Sequence, residues 1–178
     1  MRDRMKRSFE WLTDRGIKYS FANMDNWWDD PSIIAGVGRM LASLFRDVAN
    51  PTAIIAPAAS GYMLGPLVAL EFRARFVGAT KEVGTSMTSD RWLSTTTPPD
   101  YRDRHLSIGW RRGRISSGDR VLAVDDIIDT GGQLLAIKSG VERSGAEWLG
   151  AAVLIDALEN GGRRRDLGVR SIFNSREL

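Results

Sequence analysis

A mostly parallel α/β sheet with helices on both faces is the fold class this sequence predicts, and three observations predict it. Short apolar runs recur at Thr52-Ala-Ile-Ile-Ala56, Arg120-Val-Leu-Ala-Val124 and Trp148 to Ile155, as strands buried on both faces require. Between them, Tyr62 to Phe72 is mostly apolar, and Leu134, Leu135, Ile137 and Val141 recur at helical spacing. Strands and helices alternate along the chain, the order that builds a parallel sheet. Its 178 residues correspond to about one domain of roughly 150 residues with a modest appendage.

Taken in order, Phe9, Leu12 and Ile17 predict a short amphipathic helix closed by Gly16, then a polar, aromatic segment from Tyr19 to Trp28. Asp30-Pro31-Ser32 opens a helix through Ile33, Val37, Leu41 and Phe45, with Pro31 or Ser32 at its first positions. Gly36-x-Gly38 falls inside that helical period and not after a strand, so it reads as a close helix contact and not as a dinucleotide loop. The strand 52–56 leads into a small-residue loop, Pro57 to Gly61, and after the next helix Arg75-Phe-Val-Gly78 is another strand. Lys81 to His105 is rich in Thr, Ser, Pro and charge, too polar and turn-rich for core; at that length it reads as a functional lid or a disordered segment. Leu106 to Trp110 is a candidate strand, Ser116 to Asp119 a turn, and 120–124 a buried strand. Gly131-Gly132 opens a helix that Ser144-Gly145 ends, and Trp148 to Ile155 and Val169 to Phe173 are the last strands.

Composition then narrows the chemistry. The 25 cations against 22 acids leave +3, and only four cations are lysine (Lys6, Lys18, Lys81, Lys138). Arginine's planar fork suits phosphate and carboxylate. Cysteine is absent and His105 is the single histidine, which excludes disulfides, thiol catalysis, Cys-ligated zinc and HExxH metal sites. Carboxylates, hydroxyls, backbone amides, Lys and Arg remain. Glu10 and Asp14 interrupt the basic N-terminus before any apolar run, and no stretch approaches the roughly 18 apolar residues of a membrane helix. A soluble, cytoplasmic protein with no membrane or nucleic-acid partner is the expectation.

The most informative stretch is Val121-Leu-Ala-Val-Asp125-Asp126-Ile-Ile-Asp129-Thr130-Gly131-Gly132-Gln133. A buried strand delivers Asp125 and Asp126 at its C-terminal end, where open α/β sheets bind ligands. Beyond them, Thr130 and the paired glycines expose amides at a helix N-terminus, a phosphate cradle. Acceptors for hydroxyls beside a phosphate cradle fit a ribose 5-phosphate. A receiver domain also places acidic residues after a strand, but too little chain follows Asp126 for its remaining strands. A Walker loop is excluded because no GxxxxGK[ST] is present.

These residues resemble the signature of the type I phosphoribosyltransferases: an apolar strand, two acids, a few apolar residues and a Thr-Gly-Gly loop. Gln133 stands where that family usually has Thr, so one hydroxyl contact to phosphate is lost while the amides stay. The resemblance implies that Asp125 and Asp126 hold the ribose hydroxyls of phosphoribosyl pyrophosphate, directly or around Mg²⁺. It also implies that Asp129, Thr130, Gly131, Gly132 and Gln133 wrap the 5-phosphate. Ala58-Ala59-Ser60-Gly61 is similar to the pyrophosphate loop of adenine-type members, with Ser60 in place of their polar or arginine residue and no nearby acid. Lys81 matches the family's basic pyrophosphate ligand, with a solvated surface lysine as the alternative.

By the same resemblance the chain is one domain over 1–178, with an N-terminal helix and small hood at 1–31 and a core at 32–156. A flexible catalytic loop spans 82–105 and a C-terminal hood segment 157–178. Asp100, in Asp100-Tyr101-Arg102, matches the position of the adenine enzymes' catalytic Glu, while Arg102 and Arg104 are placed to meet phosphates. Phe21 matches the hood Phe that stacks on the base, with core packing as the alternative; Trp27 and Trp28 read as packing or dimer contacts. Asp129 departs from the adenine enzymes, which have Ala there, and matches the acid of 6-oxopurine enzymes. Either Asp129 or Asp100 therefore handles the base proton. The triple arginine 163–165 reads as solvated. The resemblance implies a homodimeric transferase for a purine-like base, adenine or a 6-oxopurine. A nucleotide-sensing regulator of the same fold and a transferase for an unusual base are the alternatives.

Overall fold

The computed structural model describes residues 1–13, 20–48, 50–80, 91–96 and 107–178. The chain opens with helix α1 (Arg2–Ser8), strand β1 (Glu10–Thr13), strand β2 (Ser20–Asn23) and a single turn, α2 (Asp25–Trp28). The first helix therefore lies ahead of its expected place. Met5 and Phe9 are the buried residues here, whereas Trp11 and Leu12 are exposed on an antiparallel hairpin with β2. Trp27 is wholly buried, donates its indole N–H to the Met5 carbonyl at 2.8 Å and packs 5.9 Å from the Phe173 ring, which makes it a packing residue.

Helix α3 (Pro31–Ser43) begins as the sequence predicts, with Asp30 as N-cap accepting the Ser32 amide at 2.8 Å. The Ser32 hydroxyl, the Arg4 guanidinium and the Ser32 amide hold the Asp30 carboxyl at about 2. Strand β3 (Ala53–Pro57) and helix α4 (Gly61–Phe72) follow. A Cβ on Gly38 would sit 2.8 Å from the Leu67 backbone, so only glycine lets α3 lie this close to α4. Next come β4 (Arg75–Ala79), β5 (Trp92–Thr96), β6 (Ser107–Arg111), β7 (Arg120–Ile128), α5 (Gly132–Arg143), β8 (Glu147–Asp156), α6 (Gly161–Leu167) and β9 (Val169–Asn174).

Five strands form one parallel sheet in the order β4-β3-β7-β8-β9. Alternate residues of each strand serve opposite faces. Ile55, Val121 and Val153 join a cluster with Ile137 and Val141 of α5, and Ile54, Leu122 and Ala152 join one with Val37, Leu41 and Val68 of α3 and α4. Residues 92–96 correct the expectation that 81–105 holds no core. Leu93 and Thr95 are buried on β5, which pairs antiparallel with β6 and covers α5 beside Trp110. Composition hides this strand, because one of its two inward residues is Thr95 and its neighbours Ser94 and Thr96 are polar.

At the N-terminal end of the sheet, Asp119 ties three strands together. Its carboxylate accepts the Thr52 hydroxyl at 2.9 Å, the Ser116 amide at 2.9 Å and the Arg75 guanidinium. Burial pushes this carboxyl up, but the Ser116 amide, the Thr52 hydroxyl and Arg75 outweigh it and hold it below the usual range. Near this end Leu93, Trp110, Arg112, Gly113, Ile115, Ser116, Arg143 and Ser144 line a cavity of about 260 Å³. No helix among the described residues is long and apolar enough to cross a membrane.

A carboxyl with a lowered folded pKa stabilises the fold above its unfolded value, about pH 4, and loses that contribution as the pH falls through the folded value. Asp119→Ala is expected to cost about 2–4 kcal/mol in urea unfolding at neutral pH, and to flatten the fall in stability below about pH 4.

Candidate active site

In the strand order, β3 is connected onward to β4 on one side while β7, its other neighbour, leads to β8 and β9 on the opposite side. Such a reversal opens a crevice at the C-terminal strand ends. Here the opening is visible in the register: β3 and β7 pair from Ala53↔Val121 to Ile55↔Ala123 and then part, although β3 runs to Pro57 and β7 to Ile128. The residues beyond the parting are Pro57 to Gly61 on one side and Asp125 to Gln133 on the other, the two loops singled out from sequence.

Asp125 and Asp126 lie inside β7, which is longer than the predicted 120–124, and both are half-buried. Val124 and Ile127, three residues apart, pack on the same cluster, so the in-out alternation slips at the two acids. Each carboxylate is fixed by the following amide: Asp126 N–H donates to Asp125 Oδ1 at 3.0 Å, and Ile127 N–H to Asp126 Oδ1 at 2.8 Å. Asp129 and Thr130 then emerge exposed at the strand end. Gly131, at φ 74 and ψ 4, turns the chain into α5, whose first turn no side chain caps. Among the described residues, the Gly132 amide meets the Thr130 hydroxyl at 3.4 Å. Uncapped amides at a helix start attract an anion. Gln133 follows with a buried side-chain oxygen that has no hydrogen-bond partner among the described residues.

Across the crevice, Ala58 and Ser60 are half-buried and Ala59 is exposed, and the Ala58–Ala59 peptide is cis. The Ala58 amide donates to the Ala79 carbonyl at 2.9 Å, which ties this loop to the end of β4. Gly61 is buried, and its absent side chain would meet Ala56 Cβ at 3.0 Å and Pro57 Cδ at 3.1 Å. Its smallness therefore seats α4 against β3. Phe21 sits on β2 and is 52% exposed, which removes core packing as its explanation. Lys81, Asp100, Arg102, Arg104 and His105 lie outside the described residues.

The arginines at 163–165 correct the solvated reading for two of the three. Arg163 donates to the Thr130 carbonyl, beside the glycine turn. Arg164 grips Asp156, which is 5% exposed at the end of β8, through Nε and Nη2, and also the Leu158 carbonyl. The hydrogen bond to Asp156 raises the Arg164 pKa above its ordinary value. Only Arg165 is exposed. A run of like charges carries no periodic signal of such partners, so sequence reasoning had no purchase on them.

Comparison with known proteins places this geometry. A family model described as "Phosphoribosyl transferase domain" matches residues 24–174. A xanthine phosphoribosyltransferase of Bacillus mycoides is 29% identical over 143 residues, covering 79% of this chain and 72% of the relative. Among solved structures, an adenine phosphoribosyltransferase from Thermoanaerobacter pseudethanolicus superposes with a TM-score of 0.85 at 21% identity, covering 98% of this chain and 99% of the other. One from Leishmania donovani gives a TM-score of 0.80 at 22% identity, covering 99% and 80%. The fold is thus shared with these structures, and with a match across most of its length the chain is a member of the phosphoribosyl transferase family.

Proposed function

We propose that the protein transfers the 5-phosphoribosyl group of phosphoribosyl pyrophosphate to a ring nitrogen of a purine base. The C1–pyrophosphate bond breaks, a C1–nitrogen bond forms, and the base gives up a proton, leaving a nucleoside monophosphate and pyrophosphate. The observation that carries this reading is the pairing, at one strand end, of two half-buried carboxylates with an uncapped glycine turn. Asp125 and Asp126 accept hydrogen bonds from the ribose hydroxyls, and the amides from Asp129 to Gln133 hold the 5-phosphate. On the other side of the crevice, the loop Ala58 to Gly61 and Lys81 hold the departing pyrophosphate. Asp129 or Asp100 takes the base proton, and Phe21 offers an exposed aromatic face to the base.

Mg²⁺ fits this donor set. The two carboxylates, half-buried side by side at the strand end, are hard oxygen ligands of the kind this ion takes, one or two at a time, together with substrate oxygens. Asp125 and Asp126 would hold it, and when bound it neutralises charge on the pyrophosphate. Homodimerisation remains part of the proposal; Tyr62, Met63 and Leu70 on α4 are exposed apolar residues that a second copy would cover.

The acceptor is a purine, with Asp129 favouring a 6-oxopurine such as the base named for the Bacillus relatives. Incubation with phosphoribosyl pyrophosphate, Mg²⁺ and a panel of purines and pyrimidines should release pyrophosphate with at least one purine. Binding without release across the panel would identify a sensor instead. Asp125→Asn with Asp126→Asn should abolish turnover, and normal activity in that double variant contradicts the assignment. Gln133→Thr replaces an orphaned carbonyl by a hydroxyl donor, so KM for phosphoribosyl pyrophosphate should fall about three- to tenfold in steady-state assays. Phe21→Ala should raise KM for the base about tenfold, the loss of one stacking contact, and leave the other KM unchanged.

A further inference from the structure

The phosphate loop is held from behind by a residue that the proposed reaction does not use. The Arg163 guanidinium donates to the Thr130 carbonyl, a contact between positions 33 residues apart. Its aliphatic stem lies over the glycine turn: a Cβ on Gly131 would meet Arg163 Cδ at 2.9 Å and Leu158 and Leu167 side chains at 3.3 Å.

The support is itself anchored. Asn160 caps α6 by accepting the Arg163 amide at 3.0 Å, Arg164 fastens the segment to Asp156, and the Ala157 amide donates to the Ile128 carbonyl at 2.8 Å. Lys138 of α5 reaches the Asp166 carbonyl at 2.8 Å. Arg163 is therefore fixed relative to both the strand before the loop and the helix after it.

In a trans peptide the carbonyl and the following N–H point in opposite directions. Holding the Thr130 carbonyl toward Arg163 therefore turns the Gly131 N–H the other way, away from α6. The guanidinium also sets a fixed positive charge behind that peptide, which polarises its N–H as a donor to an anion.

We propose that Arg163 is a positioning residue for the 5-phosphate: it acts through the Thr130–Gly131 peptide and touches no substrate. The inference rests on the phosphate-loop reading given above.

Ribose 5-phosphate and inorganic pyrophosphate, titrated separately by calorimetry, tell the two loops apart. Arg163→Met should weaken ribose 5-phosphate about tenfold and leave pyrophosphate unchanged, the loss of one charge-assisted contact. In turnover, KM for phosphoribosyl pyrophosphate should rise by a similar factor, with kcat changed less than about threefold. Arg163→Lys keeps a donor in reach of the carbonyl and should restore most of the affinity. Arg165→Met, at the exposed neighbour, should match the unaltered protein. Unchanged ribose 5-phosphate binding in Arg163→Met overturns the inference, as does equal weakening of both ligands or an Arg163→Lys variant no better than Arg163→Met. If Arg163→Met does not fold, Arg163→Gln, which keeps part of the stem over Gly131 but loses the charge and the reach to the carbonyl, is read by the same two titrations: weaker ribose 5-phosphate with unchanged pyrophosphate supports the inference, and unchanged binding of both overturns it. Failure of the unaltered protein to bind ribose 5-phosphate would instead overturn the underlying reading of the loop.

Discussion

The parting of β3 and β7 is the constraint on which the rest of the molecule depends. Two neighbouring parallel strands whose onward connections leave in opposite directions cannot both be covered at their C-terminal ends by the same helix. Their pairing ends at Ile55 and Ala123, and both loops singled out from sequence, Pro57 to Gly61 and Asp125 to Gln133, follow within ten residues of that point. On the β3 side the chain turns through Ala58 and Ala59, and on the β7 side through Asp125, Asp126 and the glycine turn. A packing consequence of topology thus becomes a crevice furnished with carboxylates and amides.

The electrostatics follow the same division. The net charge of +3 is small for a protein expected to hold a polyanion. Several arginines are committed to partners within the chain: Arg75 to Asp119, Arg164 to Asp156, and Arg163 to a carbonyl. In the proposed function, backbone amides at the start of α5 supply the attraction for phosphate instead. They cost no side-chain entropy to hold in place, since the sheet and α6 already fix them. Arginine here builds the scaffold that aims those amides.

Much of this was legible in the residues, because both-face burial writes itself as apolar runs and an uncapped glycine turn after paired acids is a rare local pattern. The parallel sheet, the start of α3 at Asp30-Pro31 and the Gly38 contact all follow from such local signals. What escaped was of another kind. β5 buries Leu93 and a polar Thr95 in a segment dense with Thr and Ser, so composition concealed its period. The N-terminal hairpin exposes Leu12, which periodicity assigns with Phe9 and Ile17 to a helix face, because Met5 and Phe9 already pack against Trp27. The roles of Arg163 and Arg164 depend on partners from 6 to 33 residues away that only the tertiary fold brings near.

The central claim is that phosphoribosyl pyrophosphate sits across the β3–β7 crevice. Backbone amide chemical shifts followed by NMR during titration with this ligand and Mg²⁺ test it most directly. The account predicts the largest changes at Gly131, Gly132 and Gln133 together with Ala58 to Gly61. Changes centred on Trp110, Arg112 and Arg143, around the cavity at the other end of the sheet, with the glycine turn unmoved, would contradict it.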